Sequence, residues 1–206
     1  MATGDRRWHC ISRELNVNVG KKFLLVLSLM ASVLLTGCGT ISTMGKLEDG
    51  AGAEAGKMWD RWVDSGGDIA VATTWERKVK PGVTVNDIEA VFTQIASERN
   101  MKGVGELPLS KELEARTGQP QKFLKVYSFC TPATARIMVD FSPHMAAFLP
   151  CRLTVVEKED GLWIYTLNMD MMVKMGRKLP SPLKEEATRV RDTIYMMLER
   201  GAAGEF

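Results

Sequence analysis

Between Leu183 and Leu198 the residues Leu183, Ala187, Val190, Ile194, Met197 and Leu198 follow one another at spacings of 4, 3, 4, 3 and 1. That is one face of an α-helix, and Ser181-Pro182 puts proline where a first helical turn accepts it. A helix with a single apolar face needs an apolar layer to cover it. Five β candidates offer one: Asp68 to Lys78, residues 101–107, Lys122 to Cys130, Leu153 to Glu157 and Leu162 to Leu167. The last two are joined through Lys158-Glu159-Asp160-Gly161, in which Asp-Gly is a hairpin signal.

Helical spacing recurs between these segments. Met58, Trp59, Trp62 and Val63 predict a short helix stopped by Gly66-Gly67. Its two tryptophans either pack on the domain or touch a bilayer interface. Thr84 and Asp87 form a capping-box-like start for a helix to about Arg99, with Val85, Ile88, Val91, Phe92 and Ile95 on its buried face. Ser110 to Arg116 reads as a short helix ended by Gly118. Thr131-Pro132 opens another, burying Ala135, Met138 and Val139 and ending at Ser142-Pro143. The order β-α-β-α-β-α-β-β-α predicts an α+β domain: a curved, mainly antiparallel sheet packed by helices, with a long helix at its C-terminal end.

The amino-terminal part follows a different plan. Lys21-Lys22 is a positive region, Phe23 to Leu35 is an apolar run of 13 residues broken by Ser28 and Ser32, and Leu35-Thr36-Gly37-Cys38 is a lipobox. The run falls within the roughly 7–15 residues of a signal core and short of the ~20 that span a bilayer. The expectation is a bacterial lipoprotein with Cys38 as its lipid attachment point. Gly39 rather than Asp follows the cysteine, which directs such a protein to the outer membrane, facing the periplasm. Residues 1–18 fit neither signal nor domain and read as a misassigned start, with Val19 as the true initiator. The resulting division is 1–18 as misassigned start, 19–37 as signal peptide, 38–56 as a Gly- and Ala-rich flexible tether, and 57–206 as a single domain.

Charge narrows the function further. Of 27 basic and 25 acidic side chains, five (Arg6, Arg7, Arg13, Lys21, Lys22) and two (Asp5, Glu14) precede Cys38, leaving 22 and 23 after it. A near-neutral domain has no electrostatic case for nucleic acid. P-loop, GxGxxG, GxSxG, HExxH and CxxC motifs are absent, and His144 is the one histidine beyond the signal segment.

Two groups of residues carry chemical interest. With Cys10 and Cys38 set aside, Cys130 and Cys151 remain as candidate reactive residues. Cys130 precedes a helix start, where the dipole favours a thiolate, and Cys151 lies beside Arg152. They read as buried small apolar residues, as a disulfide, or as a reactive or metal-binding pair. A disulfide needs antiparallel strands with the connection folding back. The second group is Met169, Met171, Met172 and Met175, with His144 and Met145, whose soft donors suit Cu(I) but which equally read as adaptable core. No cofactor is expected otherwise.

The stretch from Phe123 to Leu167 resembles the domain of unknown function 302 family. The resemblance is carried by Tyr127-Ser128-Phe129-Cys130-Thr131-Pro132, by Leu149-Pro150-Cys151-Arg152, and by Val155-Val156-Glu157 followed by Asp160-Gly161. Thr131 stands where the family usually has Asn. The segments Gly105 to Glu112 and Thr166 to Asp170 look like a branch found in envelope proteins of sulfur-oxidising bacteria. The resemblance covers about residues 68–200 and implies a fold of the TATA-binding-protein or helix-grip type, often a homodimer. Its marker positions are Cys130, Pro132, Pro150 and Cys151, and no activity comes with them.

The reading that follows is a membrane-tethered, non-enzymatic envelope domain that binds a small ligand or a protein partner, within periplasmic sulfur or redox metabolism. A helix-grip cavity would be lined by Met138, Trp163 and Met197. The alternatives are a thiol redox or sulfur-carrier protein using Cys130 with Cys151, and Cu(I) binding through residues such as His144, Met145, Met169 and Met172. If Val19 is the initiator, peptide mapping of the cellular precursor finds no peptide from residues 1–18; recovering one overturns that start.

Overall fold

Two amphipathic helices and one face of a sheet supply most of the fully buried side chains. The computed structural model describes residue 43 and residues 45–206. Cys38, the signal segment and residues 1–18 lie outside the described residues. The chain divides into two compact units, Met1–Leu47 and Glu48–Phe206. In the first, a turn is closed by the Lys46 N–H donating to the Thr43 carbonyl at 2.9 Å.

The second unit runs α1 (Ala51–Asp64), α2 (Ile69–Thr73), β1 (Thr74–Lys78), α3 (Val85–Glu98), β2 (Lys102–Leu107), α4 (Leu109–Thr117), β3 (Leu124–Cys130) and α5 (Pro132–Phe141). A 3-10 helix (Pro143–Phe148), β4 (Cys151–Lys158), β5 (Gly161–Leu167), α6 (Asp170–Val173) and α7 (Ser181–Ala203) follow. The sheet order is β1-β5-β4-β3-β2, with every neighbouring pair antiparallel. The expected α+β architecture is therefore present, including the C-terminal helix.

Register decides which side chains meet the helices. Lys125, Val155, Ile164 and Arg77 stand opposite one another across β3, β4, β5 and β1, as do Tyr127, Leu153, Thr166 and Trp75. Both rows face α3 and α7: Arg77 pairs with Glu199 of α7, and Tyr127 meets Phe92 of α3 edge-on at 5.5 Å. Ile88, Val91, Phe92 and Ile95 of α3 are buried, as are Leu183, Ala187, Val190, Ile194, Met197 and Leu198 of α7. These are the stripes the helical spacing marked out. Burying each large member stabilises the fold by about 1.5–3 kcal/mol.

Three expectations need correction. Residues 68–78 are not one strand, because the Asp68 carboxylate accepts from Ala70 and Val71 N–H and caps the short helix α2. Only Thr74–Lys78 pairs in the sheet. The tether does not extend to residue 56, since α1 starts at Ala51 and Glu48 is buried. The Glu48 carboxylate accepts from the Leu179 N–H at 2.8 Å and from Lys184 Nζ at 2.5 Å. Alanine-rich sequence that looks flexible by composition is also good helix former once anchored. Finally, Met197 and Trp163 line no common cavity, because Met197 is solid core while Trp163 points to the opposite sheet face. There the Trp163 indole N–H donates to Asp160 and Lys158 Nζ sits 4.2 Å from its ring.

The approach of α7 to the sheet depends on one residue without a side chain. A Cβ at Gly201 would lie 2.7 Å from Phe92 Cε1 and 3.3 Å from Ile164 Cδ1, and both residues are fully buried. Alanine improves helix propensity by about 1 kcal/mol. Overpacking a closed core costs about 1–3 kcal/mol, so the clash prevails. Gly201→Ala is expected to lower unfolding free energy in urea; a variant as stable as the parent or more so would refute this packing.

Candidate functional site

Among the concavities of the described residues, two on the helical side of the sheet gather groups of chemical interest. The larger, about 390 Å³, lies between α3 and the β2–β3 edge. Phe92, Tyr127 and Phe129 form its aromatic wall, and Glu89, Thr93, Ser97 and Glu106 are among its polar lining. It exists partly because Gly103 faces it from β2: a Cβ there would meet only Phe129 Cε1, at 3.9 Å. The β2–β3 register also shifts between Gly103 and Gly105, a bulge that re-aims the strand.

A charged network closes one end of this cleft. Tyr127 donates its hydroxyl to Glu89 Oε1 at 2.6 Å, and Lys125 Nζ donates to the same oxygen at 2.8 Å. Lys125 also pairs with Glu106 at 2.6 Å and lies 4.7 Å from the Tyr127 ring centre. Burial alone would raise the Glu89 pKa, but the hydrogen bonds from Lys125 and Tyr127 and the lysine charge outweigh it, so the pKa is lowered. Burial would lower Lys125, yet its pairs with Glu106 and Glu89 raise it. Tyr127 is raised by burial and by the adjacent Glu89 carboxylate. Sequence reasoning missed this network. The signal for it was Tyr127, alternating with Phe129 on a core-facing strand, because a tyrosine hydroxyl placed inward requires a partner.

The smaller concavity lies where β3 and β4 meet α5, α6 and α7, and its void is about 20 Å³. Cys130, Cys151, Met138, Met169 and Met172 all line it, together with Thr131, Thr134 and apolar neighbours. The strands are antiparallel and Cys151 stands opposite Phe129, one residue from Cys130, so the two cysteines are close. Both are free thiols. Burial raises the Cys130 pKa, contrary to the expectation of a helix-activated thiolate; desolvation outweighs the dipole of α5 there. Cys151 is pushed up to about 11, chiefly by burial and also by the neighbouring Cys130.

Of the sequence-expected donors, Met138, Met169 and Met172 join the cysteines. Met145 lines an adjoining void with Met138 and Met172, and His144, on the 3-10 helix, is in neither. Among the described residues, no group of three or more His, Cys, Asp or Glu is placed to hold a metal. Soft sulfur is the donor set on offer.

Comparison with known proteins places these features in a wider setting. The family described as Domain of unknown function DUF302 matches residues 75–201. The fold is similar to the crystal structure of an uncharacterized conserved DUF302 protein from Bacillus stearothermophilus, at 18% identity and a TM-score of 0.50. That likeness covers 62% of this chain and 97% of the other. No curated protein matches.

The network makes Tyr127→Phe informative. Because the folded-state pKa of Glu89 is depressed, its stabilisation is complete above the usual carboxylate range and is lost as pH falls through the folded pKa. Removing the hydroxyl should raise the Glu89 pKa in a carboxylate NMR titration and shift acid destabilisation to higher pH. An unmoved Glu89 titration would show that the tyrosine contributes nothing to it.

Proposed function

The chain belongs to the DUF302 family, and on that premise we propose that it is a membrane-tethered, non-enzymatic envelope module that binds a small ligand in the cleft beneath α3. The family description assigns no activity, so the reading rests on the residues. The cleft carries it: about 390 Å³ lies within the roughly 300–1,000 Å³ of small-molecule sites, with an aromatic wall and a few convergent polar groups. The matching ligand has an apolar or aromatic body and a polar head able to meet the Glu89, Lys125 and Glu106 groups.

The electrostatics support binding over catalysis. A general acid or base works best with a pKa near the operating pH. Glu89 is shifted down, and Lys125 and Tyr127 are shifted up, each away from neutrality. The tether is supported by the lipobox ending at Cys38, which would hold the domain on the outer membrane facing the periplasm. Among the described residues no helix is long and apolar enough to cross a membrane. A setting in periplasmic sulfur or redox metabolism belongs to the same proposal and draws on the segments Gly105 to Glu112 and Thr166 to Asp170.

A thiol redox or sulfur-carrier role for Cys130 and Cys151 is a second reading, favoured by the β3–β4 register that sets them together. Their raised pKa values oppose it, since at pH 7 a thiol of pKa about 11 is ionised in only about one molecule in 10⁴.

Native mass spectrometry of the protein purified from its own host tests the cleft. Gly103→Val suits a β-strand, has room for its first carbon, and places a side chain in the cleft. The expected result is a small-molecule adduct on the parent that the variant loses while remaining folded. A parent free of adduct, or a variant that keeps it, overturns the proposal.

A further inference from the structure

The sulfur-lined void between α5, α6 and α7 is separate from the α3 cleft and has its own chemistry. Five of its 13 lining residues carry sulfur, against 13 methionines and four cysteines in the whole chain of 206. Packing alone would be served as well by leucine or isoleucine. At about 20 Å³ the space holds one atom-sized guest and excludes an organic ligand. No carboxylate or imidazole lines it, and the Thr134 hydroxyl is already committed to Glu186 at 2.9 Å.

From this convergence we infer that the void is a binding site for a single Cu(I) ion, with the Cys151 thiolate and the thioethers of Met169 and Met172 as its ligands and Cys130 beside them. Thiolate and thioether donors select a soft monovalent ion over Mg²⁺, Ca²⁺ or other oxygen-seeking cations. Charge points the same way. Binding replaces the proton on Cys151: one S–H bond breaks, one S–Cu bond forms, and the proton leaves to solvent with no change in oxidation state. One thiolate and one monovalent cation leave the site neutral, whereas a divalent ion would leave an uncompensated charge among apolar walls. Cys130 is the less deeply buried thiol, which makes it the first sulfur an incoming ion meets.

The test is anaerobic titration of the reduced full-length chain with Cu(I) against a competing Cu(I) chelator. It is run in a Cys10→Ser, Cys38→Ser background, so that Cys130 and Cys151 are the remaining thiols. One equivalent of Cu(I) should be retained, with a sulfur-only first shell in X-ray absorption. Cys151→Ser should abolish retention. Met169→Leu with Met172→Leu, which keeps the packing and both thiols, should weaken it at least tenfold while circular dichroism is unchanged. Failure of the parent to retain Cu(I), retention unaffected by Cys151→Ser, or unaltered affinity in the folded double-leucine variant would each overturn the site. Gly103→Val leaves this void untouched, so the outcome is independent of the α3 cleft.

Discussion

Antiparallel pairing of β3 with β4 is the constraint on which both concavities depend. Setting Tyr127 against Leu153 and Phe129 against Cys151 turns Tyr127 and Phe129 toward α3 and Cys151 toward α5 and α7. A slip of one residue would turn the side chains of one strand to the opposite face from those of the other. Either the aromatic wall of the cleft or the Cys151 side of the smaller void would then face away from the helices. The hairpin through Glu159-Asp160 continues the register to β5, where Ile164 meets Gly201, whose missing side chain lets α7 approach closely. One ladder therefore positions a polar network at the β2 edge and a soft-donor cluster where β3 and β4 meet the shorter helices.

The two places differ in what their surroundings do to charge. In the α3 cleft, each ionised group has a partner: Glu89 with Lys125 and Tyr127, and Lys125 with Glu106. Burial is offset there and the charged forms persist. In the sulfur void no such partner lines the walls, so desolvation prevails and raises the pKa of both thiols. The same helical layer thus borders a cleft with polar groups on one side and an apolar, sulfur-lined void on the other. None of these shifts moves a group toward neutrality.

Local signals read correctly wherever one element settles its own conformation. Thr84 and Asp87 form a full capping box, the hairpin turns beside the Asp-Gly signal, through Glu159-Asp160 with Gly161 opening β5 at positive φ, and the stripes of α3 from Ile88 onward and of α7 are buried as spaced. Reading failed where a short segment had two local options. Ile69, Val71 and Thr73 alternate like a strand, yet Asp68 as N-cap makes them a helical turn. It failed too where a distant residue decided the matter. Glu48 lies in a stretch whose composition reads as a tether, and Leu179 and Lys184, more than 130 positions away, fix it in place.

The sequence by itself determined the α+β class, the five strands in outline, the two helical faces and the family resemblance around Cys130 and Cys151. Those features depend on neighbours within a few residues, where spacing and capping are sufficient. Tertiary structure alone decided which surfaces are hollow. Gly103 borders a gap because Phe129 and α3 stand around it, and Gly201 is confined because Phe92 and Ile164 crowd it. Met138, Met169 and Met172 line one void with Cys130 and Cys151 because sheet register and helix packing close three separate segments around it, while His144, equally near in sequence, is left outside it. Spacing along a chain carries no information about such a meeting, since it is set by how layers of the fold come together.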